Sequence, residues 1–179
     1  MANRVSPVME QKAPITVKNT FDTIQKKMGR VVNMFRNLAN SPEALNAYLQ
    51  MSEMCDKTSL PKNLREEIAL IVAQSNNCNY CLSAHSAIAK AYGMPEQDIL
   101  SARKGQSSDK KWNAILKFCK AICDKRGSVS DQEVQELKNQ GVSDKELCEI
   151  VLVTNLNLFT NYFNKITNTE NDFPPAPSI

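Results

Sequence analysis

Residues that interrupt regular structure are scarce in this chain, and this scarcity most constrains its fold. Glycine occurs 5 times and proline 8 times in 179 residues. Half of the prolines lie near the chain ends, at Pro7, Pro174, Pro175 and Pro177. An all-β domain needs a turn about every 8–12 residues, and so few breakers do not supply them. The sequence therefore favours an all-α fold.

Apolar residues between the breakers recur at the three- and four-residue spacing that is typical of helices. Ser41 followed by Pro42 indicates a helix start. Ser130 and Ser143 each open a capping box that a glutamate completes three residues later. The expected helices cover residues 21–38, 41–56, 61–76, 78–93, a short segment from 95, 112–127, 130–141 and 143–167.

The two ends of the chain lack this periodicity. We expect residues 1–17 to form an arm, either mobile or packed on a partner, and residues 171–179 to form an extended tail. Residues 18–170 then make a single all-α domain, which is usual for a chain of this length. The last helix is apolar on more than one side, so we expect it to be buried, partly against another subunit.

Charge and hydropathy exclude several classes of partner. The net charge is +3, from 22 basic and 19 acidic residues that are interspersed along the chain. A nucleic-acid-binding protein normally gathers its basic residues on one face. No apolar run approaches the ~20 residues that span a bilayer, and no apolar leader is present at the start. We expect a cytoplasmic protein with neither a nucleic-acid nor a membrane partner.

Three of the chemically reactive residues share one helix face. Cys78 and Cys81 are three positions apart, and His85, the single histidine, follows Cys81 by four. At these spacings the side chains lie on the same side of a helix. Asn76-Asn77 places Cys78 near the helix N-terminus, where unpaired N–H groups and the helix dipole favour a thiolate.

Glu66 joins this set if the two helices form a hairpin that turns near Asn76. It precedes the turn by ten residues and His85 follows it by nine, so at ~1.5 Å per residue they reach similar depth. Its face of the helix is otherwise apolar, whereas Glu67 faces another direction and is the weaker candidate. A buried carboxylate that binds a histidine orients the ring and raises its basicity.

Each of these residues also has a structural interpretation. The cysteine pair could be half of a zinc site, but structural zinc usually takes four ligands, and no second close pair completes them. A lone histidine is often a packed or surface residue, and Glu66 could be a solvated acid in the first helical turn. The remaining cysteines occupy helical core positions, where we interpret them as small hydrophobes; they are Cys55, Cys119, Cys123 and Cys148.

The pattern Glu-x11-Cys-x-x-Cys-x-x-x-His resembles the carboxymuconolactone decarboxylase superfamily, in its alkylhydroperoxidase D-like branch. The similarity extends over about residues 40–175. The segments that carry it outside the motif include Leu64-Arg65-Glu66, Asn79-Tyr80-Cys81, Ala91-Tyr92-Gly93 and Asn161-Tyr162-Phe163-Asn164.

This resemblance implies an alkylhydroperoxidase D-like helical fold, with the CxxC helix in an antiparallel helical hairpin, and assembly as trimers or hexamers. It implies a peroxidase without cofactor or metal, in which Cys81 attacks the peroxide, Cys78 resolves the product, and His85 and Glu66 relay protons. A dithiol reductant, such as a lipoyl domain or a thioredoxin-like protein, would reset the site. Tyr80 stands where the best-studied alkylhydroperoxidase has a second histidine.

Two other hypotheses use the same residues. One is a non-enzymatic redox- or metal-responsive protein that uses the dithiol as a sensor. The other is an oligomeric structural protein with a vestigial site. An enzyme would consume many equivalents of peroxide with a dithiol present, whereas a sensor would consume about one.

Overall fold

A computed structural model describes residues 3–179 and shows only helices and connecting loops in this part of the chain. The all-α prediction is therefore confirmed. None of the helices in residues 3–179 is long and apolar enough to cross a bilayer. In chain order the helices are α1 (Ile15–Met28), α2 (Asn33–Leu38), α3 (Pro42–Asp56), α4 (Lys62–Ser75), α5 (Asn79–Ala91), α6 (Glu96–Arg103), α7 (Lys110–Asp124), α8 (Asp131–Asn139) and α9 (Asp144–Thr167).

The helix starts that the sequence indicated are present with their hydrogen bonds. The Ser41 hydroxyl accepts the N–H of Ala44 at the start of α3. Complete capping boxes open α8 at Ser130 and α9 at Ser143, with the glutamate of each box reaching back to the N-cap N–H. Each box satisfies two backbone donors that the first helical turn leaves unpaired.

The expected helix over residues 21–38 is wrong, because it is two helices and the first begins earlier. Helix α1 starts at Ile15 and ends where Gly29 adopts a φ of 77° and donates its N–H to the Gln25 carbonyl. A residue in this left-handed conformation ends a helix, and glycine adopts the conformation without a steric penalty. The chain then turns back and restarts as α2.

The described part of the expected arm packs on its own chain. The Arg4 N–H donates to the Thr167 carbonyl at 2.8 Å, and the Val8 N–H donates to the Arg36 carbonyl at 3.0 Å. Ala13 is buried. Residues 1 and 2 of the expected arm lie outside the described residues.

Helix α4 is the centre of the domain and packs against α5, α6, α7 and α9. Its side chains from Ile68 to Ala73 are all buried, as expected for a helix that is apolar on every side. One core cluster lies between α4, α7 and α9. The second surrounds α1, α2 and the start of α5, and it includes Cys78, Tyr80 and Cys81.

Helix α9 buries one side within the chain and leaves another apolar side exposed. Several of its large apolar side chains are exposed in the single chain: Val151, Phe159, Tyr162 and Ile166. Its buried face begins with the apolar Ile150 and Val153 and continues with polar side chains, namely Thr154, Asn157, Thr160, Asn161, Asn164 and Thr167. These exposed side chains are the part of the helix for which we expected cover from another subunit, and that expectation stays a prediction.

The four cysteines outside the CxxC pair differ in how deeply they are buried. Cys55 and Cys119 are buried and Cys123 is half-buried, as expected of small core residues. Cys148 is exposed, so its assignment to the core is wrong. Ile150, two positions later, points into the core, and a step of two residues rotates a side chain by about 200° to the other side of a helix.

Candidate active site

Helices α4 and α5 form the expected hairpin, and the turn between them sets up the site. Asn77 has a φ of 51°, a left-handed conformation that asparagine tolerates better than most residues. The Cys78 N–H then donates to the Ala73 carbonyl at 2.9 Å and closes the end of α4. Helix α5 can therefore begin at once, with Cys78 as its N-cap residue.

The two cysteines of the motif are joined by a disulfide bond. The Sγ atom of Cys78 also accepts the N–H of Cys81 at 3.3 Å, as an N-cap side chain does. Both residues are buried. In residues 3–179 no group of three or more His, Cys, Asp or Glu side chains is placed to hold a metal ion.

Glu66 and His85 meet across the hairpin, as counting residues from the turn predicted. The Glu66 Oε2 atom lies 2.8 Å from Nδ1 of His85, and both side chains are mostly buried. A carboxylate at this position accepts a hydrogen bond from the Nδ1–H group of the ring. In the neutral ring, Nε2 is then the nitrogen that can accept a proton. Glu67 faces elsewhere, and burial raises the pKa of its carboxyl to about 7.

A cavity of about 770 Å³ lies against these residues. Cys81, His85 and Glu66 line it, whereas Cys78 does not. Much of the remaining wall is apolar or aromatic, and includes Phe35, Tyr48, Leu49, Ile88 and Phe173. Of the two sulfurs, therefore, Cys81 is the one that a molecule in the cavity would meet.

Helix α9 supplies a polar strip to the same cavity, with Asn157, Thr160 and Asn164. The side-chain amide of Asn164 donates to the Sγ atom of Cys81, with Nδ2 and Sγ 3.5 Å apart. Sequence reasoning missed this contact. The one available signal was the segment 161–164, which resembled the family but received no role.

Tyr80, which lies between the two cysteines, holds the C-terminal tail. Its hydroxyl donates to Asp172 Oδ1 at 3.0 Å and accepts the Met34 N–H at 3.3 Å. The other carboxylate oxygen of Asp172 accepts the Asn33 N–H at 2.9 Å, and the Phe173 ring packs edge-on against Tyr80. Burial, and then the Asp172 carboxylate, raise the pKa of Tyr80, so its hydroxyl stays protonated.

Comparison with known proteins connects this site to a family. Residues 42–124 match the model of the Carboxymuconolactone decarboxylase family, and this segment contains the four candidate residues. The chain is also 30% identical over 59 residues to the uncharacterized protein YdfG of Bacillus subtilis (strain 168). That match spans 33% of this chain and 40% of the curated relative.

Solved structures share the fold over nearly the whole chain. An uncharacterized peroxidase-related protein from Silicibacter sp. TM1040 has a TM-score of 0.85 at 24% identity, over 95% of this chain and 92% of its own. An uncharacterized peroxidase-related protein from Ralstonia eutropha JMP134, described as an alkylhydroperoxidase AhpD core, has a TM-score of 0.85 at 21% identity, over the same shares. A variant of the debrominase Bmp8, in complex with 2,3,4-tribromopyrrole, has a TM-score of 0.81 at 22% identity, over 96% and 93%.

Proposed function

We propose that this protein is a thiol-dependent peroxidase, since residues 42–124 match the model of the carboxymuconolactone decarboxylase family and the chain shares its fold with a protein that has an alkylhydroperoxidase AhpD core. It reduces a peroxide with the Cys78–Cys81 pair, and His85 and Glu66 assist. A dithiol protein, such as a lipoyl domain or a thioredoxin-like protein, returns the pair to the reduced state.

One observation carries this proposal. Cys81 lines the cavity together with the hydrogen-bonded pair of His85 and Glu66, while Cys78 lies outside the cavity wall and within disulfide-bonding distance of Cys81. This arrangement supports a thiol that meets the substrate, a base that can take its proton, and a second thiol that can close a disulfide.

In the first step, His85 accepts the proton of the Cys81 thiol and the thiolate attacks the distal oxygen of the peroxide. The S–O bond forms, the O–O bond breaks, and the leaving alkoxide takes the proton from His85 to become an alcohol. Cys81 is now a sulfenic acid. Glu66 holds Nδ1 of the ring throughout, which stabilises the transient imidazolium.

In the second step, the Cys78 thiol attacks the sulfenic sulfur, and the disulfide forms as water leaves. An external dithiol then reduces this disulfide by two thiol–disulfide exchanges and is itself oxidised. The sum of one turnover is one peroxide and one dithiol consumed, with one alcohol, one water and one oxidised dithiol formed. Because the cycle needs a supply of reduced dithiol, we propose that the protein acts in the cytoplasm. We also propose that it assembles as a homotrimer or homohexamer.

The decisive experiment measures peroxide consumption against a panel of donors: dihydrolipoamide, a thioredoxin-like protein and a small monothiol. We expect many equivalents of peroxide to be consumed per protein with a dithiol donor. Cys81→Ser should abolish this turnover, whereas Cys148→Ser, which removes an exposed thiol outside the site, should retain it. Consumption of a single equivalent with every donor would instead support the redox-sensor hypothesis.

A second candidate function follows from the size of the cavity. A peroxide group fills a small part of about 770 Å³, and the aromatic lining suits a flat organic substrate. Reductive dehalogenation uses the same dithiol: an aryl bromide and two thiols give the arene, the disulfide and hydrogen bromide. Bromide release from a brominated pyrrole in the presence of dihydrolipoamide tests this candidate directly, and its absence would eliminate it.

A further inference from the structure

We propose that Asn164 is a further residue of the active site, whose side-chain amide stabilises the negative charge on the sulfur of Cys81. This inference deepens the proposed function, because it rests on Cys81 being the thiol that attacks. It assigns a role to a residue of α9, which lies 83 positions from Cys81 in the sequence.

The contact is direct and shielded from water. The Nδ2 atom of Asn164 lies 3.5 Å from Sγ of Cys81, and the two residues are 4% and 2% exposed. Both line the cavity. A hydrogen bond in such surroundings is stronger than the same bond in water, because the local dielectric constant is low.

Burial alone would disfavour a thiolate at this position. The effect is visible elsewhere in the chain, where burial raises the pKa of the Cys119 thiol to about 12. The backbone N–H of Cys81 does not offset it, since that N–H donates to Cys78. Among the described residues, Asn164 is the side chain whose donor reaches the Cys81 sulfur.

The other end of the Asn164 amide supports the same assignment. Its Oδ1 atom is buried and has no hydrogen-bond partner, which is unfavourable for stability. An apolar side chain would avoid this cost. The presence of an amide at this position therefore favours a role for its N–H donor.

The test measures the rate at which iodoacetamide alkylates Cys81, as a function of pH, in reduced protein that carries Cys78→Ser. The modified peptide is quantified by mass spectrometry. Asn164→Leu should raise the pKa of the Cys81 thiol by about one unit, since one hydrogen bond to the thiolate is lost. Alkylation at neutral pH should then slow by about tenfold. Asn164→Asp, which has the same shape but adds a negative charge, should raise this pKa further.

Asn161→Leu is the matched control. Asn161 lies on the same buried face of α9, but its Oδ1 atom accepts from Asn76 and not from the site. Its substitution should leave the pKa of Cys81 unchanged. An unchanged alkylation profile in Asn164→Leu, or an equal shift in Asn161→Leu, would overturn the proposal.

The role of Asn164 can still be tested if a variant does not fold or if the protein has no peroxidase activity. If Asn164→Leu does not fold, the isosteric Asn164→Asp variant carries the same comparison. The assay also uses no peroxide. A wild-type protein that turns over no peroxide would therefore count against the proposed function, while the alkylation profiles would still decide whether Asn164 acts on the Cys81 thiolate.

Discussion

At Cys78 and Cys81, two physical effects favour different sulfurs. As the N-cap residue of α5, Cys78 receives the helix N–H and dipole, an effect of about 0.3–1 kcal/mol. Cys81 shares a cavity with the His85–Glu66 pair, and a positioned base contributes about 10²–10⁴-fold in rate, or ~3–5 kcal/mol. The larger effect favours Cys81 as the attacking thiol.

Substitution of each cysteine tests this assignment. We expect Cys81→Ser to form no sulfenic acid on treatment with peroxide. Cys78→Ser should form one equivalent, retain it because no second thiol is present, and fail to turn over. Mass spectrometry after trapping with a sulfenic-acid-specific dione gives both results. If the two outcomes are exchanged, Cys78 attacks and the argument from the base is wrong.

We expect substitution of His85 or Glu66 to slow only the first step of the cycle, in which the sulfenic acid forms. His85→Gln removes the base and is expected to slow sulfenic acid formation by about 10²–10⁴-fold. Glu66→Gln leaves the ring in place but without its carboxylate, so a smaller decrease is expected. Stopped-flow measurement of the first oxidation separates these effects from re-reduction. Glu67→Gln, at the adjacent position but away from the cavity, is the control and should keep the wild-type rate.

Glu67 itself should make stability depend on pH. Burial raises the pKa of its carboxyl to about 7 in the folded chain, whereas an unfolded glutamate titrates near ~4.3. Between these values the folded state binds more protons, so the free energy of unfolding falls as pH rises through this window. At 1.36 kcal/mol per pKa unit, the loss is at most about 4 kcal/mol by pH 8.

Glu67→Gln should remove this dependence. Urea unfolding should show the variant to be more stable than the wild type at pH 8 and close to it at pH 4. The same substitution at Glu136, which is exposed on α8, should change neither value. A wild-type protein whose stability does not fall between pH 4 and pH 8 would contradict the inferred cost of ionising Glu67.

The residue pattern predicted some of these contacts and missed others for a physical reason. The pairing of Glu66 with His85 followed from counting, because a short turn fixes the register of two adjacent helices. The contact of Asn164 with Cys81 depends on how α9 packs across the hairpin. Neither spacing nor periodicity reports such a contact between residues 83 positions apart.

At the scale of elements, the C-terminal tail is attached beside the site through Tyr80. Tyr80→Phe would leave the buried Met34 N–H without its acceptor and the Oδ1 atom of Asp172 without the Tyr80 donor. We expect a loss of about 1–3 kcal/mol in the free energy of unfolding, measured by urea titration. Tyr162→Phe removes a hydroxyl from an exposed ring and should have little effect. Equal losses in the two variants would show that the Tyr80 hydrogen bonds do not hold the tail.

Helix starts were predictable, whereas helix interruptions and buried faces were not. Capping boxes involve residues three positions apart, so Ser130 and Ser143 marked their helices correctly. The break at Gly29 interrupts an apolar pattern that continues on both sides of it, and the pattern alone does not show it. On α9, apolar side chains occur on more than one side, and their pattern does not show that the amide-bearing face is the one that packs against the hairpin.

At the scale of the whole molecule, the exposed side of α9 is the surface with the character of a subunit interface. Val151, Phe159, Tyr162 and Ile166 follow one another at steps of three, four or eight residues, and all four are exposed. Aromatic and branched side chains that share a helix face are typical of an interface between proteins. Because most soluble oligomers are symmetric assemblies of one chain, a second copy of this chain is the expected partner.

Light scattering coupled to gel filtration tests this expectation. We expect a mass of three or six times that of one chain at micromolar concentration. A double substitution, Tyr162→Asp with Ile166→Asp, should shift the protein to a single-chain mass, since two carboxylates would be desolvated in the interface. Gln135→Asp, on the exposed surface of α8, should leave the assembly intact. If wild-type protein with native helicity has the mass of one chain, the apolar face of α9 is not a subunit interface. If the double variant assembles like the wild type, the interface lies elsewhere on the surface.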